Sequence, residues 1–385
     1  MIPPSLNWST SCAAVSGFEV SSWYLMSSVS FLPPTLTPPL PLTTFLQTSY
    51  PSWVSLPSRA SEPVSEIDAP SDSVPPAAGA LACSPLEPQP ATLSSRAAAA
   101  VVERNKQVMA DSSGADDTIF TKGYQRTFAV LSPATSYAAS MIEALNDLAQ
   151  PKPKTIAFVS ADDGFSKTVT KGGVAKAQQL GFTVVATEYV PNGTSDVSSA
   201  LTKIKPKNPD VIIGSVHLAE GVAIIKQSKE LGVNPAGGFG ETVAPPTPDF
   251  AQTLGAAANG VLGSTQWTVK TTGSDKWFGS AKDYNATFAK QFNGRDAEYH
   301  GAEATAACLA LVLAVEKANS TEPDKVRDTL AALDEQTFFG PLKFNANGQN
   351  VTKTMGVIQV QGGKPVAVWP KDSSEAPLVW PGAKS

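Results

Sequence analysis

Short apolar runs alternate with amphipathic stretches through the middle of the chain. The run KTIAFVSA (154–161) is rich in β-branched residues and lies between Pro153 and the turn-forming Asp162-Asp163-Gly164, which predicts a buried strand followed by a turn. Apolar and small residues then recur at helical spacing as far as Gly181, a residue suited to end a helix. The runs FTVVATEYV and DVIIGSV repeat this pattern. Strands separated by helices in this way predict an α/β fold with a parallel sheet covered on both faces.

The end of the chain has a different pattern. Residues 354–370 are TMGVIQVQGGKPVAVWP, two apolar runs joined through Gly362-Gly363. Two such runs around a glycine pair predict a β-hairpin.

Residues 1–89 follow neither pattern, because their apolar positions have no period of 2 or 3.6 residues. Residues 1–90 hold half of the chain's 32 prolines but only one, Arg59, of its 29 Lys and Arg residues. Proline interrupts both helices and strand ladders. We therefore expect residues 1–89 to be a disordered Ser- and Pro-rich segment, and we look for function in the rest of the chain.

Composition argues against two classes of protein. A formal net charge of -5 and a pI of about 5.2 offer no basic face to neutralise phosphates, so we expect no nucleic-acid partner. No apolar run approaches the roughly 20 residues of a membrane-spanning helix. Residues 1–50 also lack the basic start and unbroken apolar run of a recognisable signal peptide.

The sequence contains no complete catalytic or metal-binding motif of the common kinds. The sequence has no G-x-S-x-G elbow, no phosphate-binding G-x-x-x-x-G-K-[ST] and no complete G-x-G-x-x-G. His217-x-x-Glu220 places two possible ligands on one helix face, but no third ligand is nearby. We interpret His217 as a cleft or surface residue and expect no enzyme activity, no cofactor and no metal.

Several segments resemble one family. GADDTIFTKGYQRTFAVLSPATSYAASM (114–141), KPKTIAFVSADDGFS (152–166), DVIIGSVHLAEGVAIIKQSKELGVNP (210–235) and TFFGPLKFNANGQN with VIQVQGGKPVAVWP (337–370) follow in the order typical of branched-chain amino acid ABC-transporter substrate-binding proteins. The resemblance extends from about residue 90 to residue 381. It implies a two-lobed type I periplasmic-binding-protein fold that closes on a small solute. It also implies a periplasmic monomer that delivers its solute to an ABC permease in the membrane.

The same resemblance implies the division into lobes. It places the crossings between lobes near Leu131–Ser132, Gln266–Thr268 and Thr337–Gly340. Lobe 1 is then residues 90–132 with 268–337, and lobe 2 is residues 133–267 with 338–385. The first two βα units of the family are not recognisable here, so we expect lobe 1 to be incomplete.

A set of ligand-binding residues is implied residue by residue. Glu241 resembles the acid that binds the solute ammonium, and a solvated loop carboxylate is the alternative. The run Ser113, Gly114, Ala115 and Asp116 resembles the loop that holds the amino-acid head group. A plain turn is the alternative there, because Asp116 also suits helix capping.

Other positions complete the implied site. Phe165 matches an aromatic residue that lines the cleft from lobe 2, and packing inside that lobe is the alternative. Thr92 and Ser94 lie near the family's carboxylate-binding Ser/Thr cluster. Val216 stands where relatives often carry an aromatic or polar residue, and His217 follows it. That departure leaves the identity of the solute open.

The composition of residues 1–89 is that of GC-rich coding sequence translated out of frame. We interpret the segment as a frameshift or a wrongly assigned start, and a linker fused to a truncated domain is the alternative. Translation of the upstream nucleotides in the other two frames separates the two.

Three functions follow from these observations. The first is the solute-binding receptor of an ABC importer, with an amino acid or a similar small solute as ligand. The second is a ligand-sensing regulator on the same fold, although residues 1–89 lack the helical periodicity and basic charge of a DNA-binding module. The third is a truncated fragment without binding activity.

Overall fold

The computed structural model describes residues 91–381, with side chains from Ser95 onward. The predictions for residues 1–89 lie outside this range. The α-helices are, in chain order, α1 (Ala91–Arg104), α2 (Ser136–Leu148), α3 (Gly164–Gln179), α4 (Ser198–Ile204), α5 (Leu218–Leu231), α6 (Pro248–Leu254), α7 (Ala281–Gln291), α8 (Tyr299–Ala318) and α9 (Pro323–Ala331). The strands are β1 (Met109–Asp111), β2 (Thr127–Ala129), β3 (Thr155–Ala161), β4 (Thr183–Val190), β5 (Val211–Ser215), β6 (Phe239–Glu241), β7 (Leu262–Thr265), β8 (Ser274–Asp275), β9 (Gly279–Ser280), β10 (Asp334–Thr337), β11 (Gly340–Lys343), β12 (Gly356–Gln361) and β13 (Lys364–Trp369).

The largest sheet described has seven strands in the order β13-β12-β7-β6-β5-β3-β4. Strands β3 to β7 pair in parallel, and β12 and β13 extend the sheet in antiparallel fashion beyond β7. The α/β prediction and the C-terminal hairpin are therefore confirmed. Gly362 and Gly363 have φ angles of 59° and 77°, a region that favours glycine in tight turns.

Helices cover both faces of this sheet because the strand side chains alternate. In β3, Phe158 packs in the apolar layer that includes α2 and α3. Its neighbour Val159 packs in the opposite layer with Leu201 of α4 and Ile224 of α5. A strand buried on both faces is continuously apolar, which explains the run that predicted it.

A second group of elements surrounds strands β1 and β2. These two strands pair in parallel as a two-stranded sheet, and Val102 of α1 packs on them with Met109 and Phe120. Helix α8 also contacts β1. Within residues 91–381, β1 and β2 have no further strand partner in this sheet beyond an isolated bridge from Ala129 to Gln349.

The three segments expected to cross between lobes lie in contact. The Ser132 amide donates to Oε1 of Gln266 at 3.1 Å, and Nε1 of Trp267 donates to the Phe338 carbonyl at 3.0 Å. The division into two lobes stays a prediction. Among the described residues, no helix combines the length and apolar character needed to cross a membrane.

The α2–α3 contact supplies a test of packing. Gly172 of α3 lies against the backbone of Thr135, and a Cβ there would overlap the Thr135 carbonyl. Replacing an interior helical glycine by alanine normally stabilises a protein by about 1 kcal/mol. We expect Gly172→Ala to destabilise instead, by roughly 1–2 kcal/mol, because overpacking against fixed backbone dominates. Urea denaturation measures the change, with exposed Lys171→Ala as a control expected within about 0.5 kcal/mol of the parent. A stabilised Gly172→Ala variant would contradict this helix contact.

Candidate functional site

Three neighbouring parallel strands end at one edge of the large sheet. Strands β3, β5 and β6 end at Ala161, Ser215 and Glu241, and polar residues follow each strand end closely. The carboxyl ends of parallel strands are where open α/β sheets bind ligands. The predicted residues Phe165, Val216, His217 and Glu241 all belong to this edge.

Aromatic side chains form one wall at this edge. The Phe165 ring is buried and lies edge-to-face on Tyr137 of α2, with centroids 5.1 Å apart and planes at 89°. Its other neighbour is His217, with ring centroids 5.7 Å apart. Phe165 therefore lies between two side chains that can form hydrogen bonds. Its own apolar ring can orient a ligand without competing with them for those hydrogen bonds.

His217 is paired with an acid that sequence reasoning did not select. Its Nε2 lies 3.3 Å from Oδ2 of Asp163, the residue that caps α3 by accepting from the amide and hydroxyl of Ser166 at 2.9 Å each. Burial opposes charge on His217, but the hydrogen bond and charge of Asp163 outweigh it and raise the pKa of His217. Burial opposes charge on Asp163 as well, yet His217 and Ser166 together lower the pKa of Asp163. Both shifts favour the ionised form of the pair.

Glu241 is the most unusual group of the site. It is fully buried, and neither carboxyl oxygen has a hydrogen-bond partner among residues 91–381. Burial, and after it the charge of nearby Glu220, raises the pKa of Glu241 to about 8. The Glu220 carboxyl is also buried, with Oε1 accepting from the Gly193 amide and Oε2 unpartnered within the same described range. Two buried carboxyl groups at this edge thus leave acceptors for a cationic or hydrogen-bond-donating partner.

Helix α5 approaches Glu241 closely because of a glycine. A Cβ on Gly221 would overlap Oε2 of Glu241. A side chain at Gly221 would therefore displace the carboxyl group.

Val216 contributes no polar group. Its side chain is fully buried, and its amide donates to Oγ1 of Thr242 at 3.1 Å, while that hydroxyl donates to the Val216 carbonyl at 3.0 Å. These bonds join the residues that directly follow β5 and β6.

The loop of Ser113, Gly114, Ala115 and Asp116 follows β1 and reaches α3. Oδ1 of Asp111 accepts from the Ser113 and Gly114 amides at 2.9 Å each, which fixes the loop backbone. Asp116 caps the short 3₁₀ helix Asp117–Ile119 by accepting from the Thr118 amide at 3.0 Å.

The Asp116 carboxylate is engaged by protein groups. It also accepts from Oγ1 of Thr118 at 2.8 Å and lies 3.1 Å from Oγ1 of Thr168 in α3. A Cβ on Gly164 would meet Oδ2 of Asp116 at 2.8 Å. Asp116 thus acts here as a helix cap and as a contact to α3, which leaves little of it for a solute.

Thr92 and Ser94 lie in the first turn of α1, where the described structure does not extend to side chains. Their assignment to the carboxylate-binding cluster stays a prediction.

Sequence reasoning missed a further group of ionisable side chains next to β1: Asp111, Glu298, His300, Glu303 and Lys353. One signal for it was available, since Glu303 interrupts the apolar run of α8 at a position facing the core. A charged residue inside such a run is rarely buried without a partner.

Neither a metal cluster nor the cavity beside α2 and α3 coincides with the carboxyl-end site in the described residues. Within residues 91–381 no group of three or more His, Cys, Asp or Glu side chains is arranged to hold a metal ion. A cavity of about 450 Å³ lies between α2, α3 and the segment around Lys353, with Ser140, Lys176 and Trp369 in its walls. None of the predicted site residues lines it, so it is separate from the carboxyl-end site.

Comparison with known proteins agrees with the fold and the resemblance. A family model for periplasmic binding proteins matches residues 89–364. The Leu/Ile/Val-binding protein homolog 8 of Brucella abortus is 28% identical over 240 residues, which cover 59% of this chain and 57% of the relative. The chain therefore spans little more than half the length of that relative.

Solved structures show the same architecture. The leucine-binding protein LivK of Thermotoga maritima superposes with a TM-score of 0.63 at 21% identity, covering 71% of this chain and 76% of that one. The branched-chain amino acid transporter substrate-binding protein LivJ of Streptococcus pneumoniae, in complex with isoleucine, gives 0.60 at 19%, with 71% and 76% covered. The chain thus belongs to the periplasmic binding proteins, a family of non-enzymatic solute binders, and has their type I α/β fold.

Proposed function

We propose that this protein is the solute-binding receptor of an ABC importer and binds an amino acid or a similar small solute at the carboxyl-end site. The protein would deliver the solute to a permease in the membrane from the periplasm. The observation that carries the proposal is Glu241, a fully buried carboxyl group with no hydrogen-bond partner in residues 91–381.

The energetics favour a cationic partner for this group. A buried carboxyl group either stays protonated or needs a cation beside it. The ammonium of an amino acid supplies both the charge and three donors, and Glu220 strengthens the negative potential. At the same sheet edge Phe165 offers an apolar surface, and the Asp163–His217 pair offers a polar one.

The 113–116 loop, which follows β1, gives further support to the proposal. Its backbone, held by Asp111 and joined to α3 through Asp116, faces the helix that carries Phe165. An amino-acid carboxylate can be bound by backbone N–H groups of such a loop.

A thermal-shift panel on the full 385-residue chain tests the function. A ligand that binds only the folded state raises stability by RT ln(1 + [L]/Kd), about 2.7 kcal/mol at 100 times Kd. We expect at least one amino acid to raise the melting temperature by several degrees at millimolar concentration. The matched control is the corresponding N-acetyl amino acid, which lacks the ammonium and should give no shift.

Two results would contradict the proposal. No shift with any amino acid would favour the third function, a fragment without binding activity. Equal shifts with amino acids and their N-acetyl forms would remove Glu241 from its proposed role, since no ammonium would then be recognised.

A further inference from the structure

A second group of ionisable side chains lies where α8 packs against β1. Asp111, Glu303 and Lys353 are buried, and Glu298 and His300 are half-buried beside them. The proposed function does not use these groups. Three carboxyl groups lie together with two basic side chains, so the hydrogen-bond pairing of each group decides what the cluster can bind.

Glu298 and His300 satisfy each other. Nδ1 of His300 lies 2.7 Å from Oε2 of Glu298. The same carboxylate caps α8 by accepting from the amides of His300 and Gly301 at 3.1 Å each. A carboxylate with this many donors has little need of another partner.

Lys353 is engaged elsewhere. Its Nζ donates to the Phe339 carbonyl at 2.5 Å and lies 4.0 Å from the centre of the Phe339 ring. Among the described residues no carboxyl oxygen forms an ion pair with it at 4.0 Å or less. The lysine therefore influences the cluster through its charge but does not satisfy the remaining acceptors.

Two carboxyl oxygens of the cluster have no hydrogen-bond partner in residues 91–381. Oδ1 of Asp111 accepts from Ser95, Ser113 and Gly114, but Oδ2 of Asp111 is buried without a partner in residues 91–381. Oε2 of Glu303 is also buried without a partner in this range. Each carboxyl group is more than nine-tenths buried, and the negative charge of Asp111 acts on Glu303. Buried acceptors of this kind are costly unless a donor reaches them.

Hydrogen bonds through the 113–116 loop connect Asp111 of this cluster with α3. Tyr137, whose ring contacts Phe165, has its pKa raised by burial and then by the charge of Glu303. On the other side, Asp111 holds the 113–116 loop, and that loop contacts α3 one turn after Phe165. Asp111 therefore borders the 113–116 loop where that loop meets α3, and Glu303 lies on α8, the helix that packs against the strand of Asp111.

We propose that Glu303 and Asp111 form a second subsite that binds a cationic group on the side chain of the solute, so that the solute is a basic amino acid. This inference rests on the proposed function and specifies its substrate class. A side-chain ammonium or guanidinium supplies several N–H donors and a positive charge. An aliphatic side chain would leave both oxygens buried and unpaired, and a site built to bind a polar group rejects the analogue without it.

Lysine and norleucine form a matched pair of ligands for the test, because norleucine has the same main-chain groups and a four-carbon side chain but no side-chain ammonium. Isothermal titration calorimetry on the full chain should include both, together with ornithine, arginine, leucine and isoleucine. We expect lysine, ornithine or arginine to bind at least 100-fold more tightly than norleucine and leucine. This comparison needs no variant and so does not depend on how a substitution folds.

A variant then assigns the preference to Glu303. Glu303→Gln should reduce the affinity for the preferred basic amino acid at least tenfold and change norleucine binding less than threefold. Half-buried Glu335→Gln, which removes a carboxylate that pairs with Lys317 outside the cluster, should change neither. Binding of norleucine or leucine as tight as that of every basic amino acid would overturn the subsite and leave the proposed function standing. No binding by any amino acid would overturn both.

Discussion

Glu241→Ala should weaken binding of the preferred amino acid by about 10- to 100-fold. A charge-assisted hydrogen bond to the solute ammonium is worth roughly 1.5–3 kcal/mol, and each 1.4 kcal/mol is tenfold in affinity. Glu241 is fully buried with both oxygens unpartnered in the described range, so no described protein group competes with the ammonium for them. Isothermal titration calorimetry measures the loss directly.

Two further variants test whether the loss of affinity is specific to the Glu241 carboxyl group. Glu230→Ala removes an exposed carboxylate from α5 and should leave the affinity within twofold of the parent. Phe165→Ala should cost less than Glu241→Ala, roughly two- to tenfold, because it loses an edge-to-face contact of about 0.5–1.5 kcal/mol and no charge. If Glu241→Ala bound as tightly as the parent, the ammonium-binding role of Glu241 would have to be abandoned.

The sequence was sufficient to predict the parts of the fold with strong periodicity. β3 was predictable because both faces of the strand are buried, which makes Thr155–Ala161 a continuous apolar run. Helix α5 was predictable from its apolar spacing and from Gly232, which ends the helix in the left-handed region at a φ of 63°. In both cases the local pattern and the tertiary environment impose the same residue types.

Elements held mainly by long-range contacts were harder to predict. The cap of α4 is an example, since the structure places the N-cap at Val197, whereas Ser195 and Asp196 are the better capping residues by type. The Val197 amide is bound by Oε1 of Gln227 from α5 at 2.8 Å. That tertiary bond acts beside a local one, in which Oδ1 of Asp196 accepts from the Ser198 amide at 3.0 Å. The tertiary bond cannot be inferred from spacing alone.

The candidate site likewise includes some residues that the sequence could identify and some that it could not. Phe165, His217 and Glu241 were identifiable through the family resemblance, and all three lie at or just beyond the carboxyl ends of strands of one sheet; their role in binding stays a prediction. Asp163 and Tyr137 were not, because their importance arises from contacts with His217 and Phe165 across different elements. Asp116 was correctly given a helix-capping alternative, and the structure uses its carboxylate for that cap and for a contact with Thr168.

Stability should depend on pH through Glu241, and Glu241→Gln should remove that dependence. Burial raises the pKa of this carboxyl group from 4.5 to about 8. Between these values the folded state binds a proton that the unfolded state has released, so the contribution of Glu241 is complete below about pH 4.5 and is lost as the pH rises through 8. The loss amounts to roughly 1.4 kcal/mol per pH unit and up to about 5 kcal/mol in all. The amide cannot ionise, so Glu241→Gln should gain stability relative to the parent across this window.

Comparison of Glu241→Gln with its parent separates the effect of Glu241 on stability from that of the neighbouring ionisable groups. The charge of Glu220 contributes to the shift, the Asp163–His217 pair lies at the same edge, and burial raises the pKa of Glu303 to about 8 as well. All of these are common to the parent and the variant, so they cancel to first order in the difference between the two free energies of unfolding. Urea denaturation at pH 5, 6.5 and 8 measures that difference, with exposed Glu230→Gln as the control. A difference that stayed constant with pH would mean that Glu241 is ionised throughout. In that case solute binding would release no proton at pH 6.5, whereas a protonated Glu241 must give up its proton to pair with an ammonium.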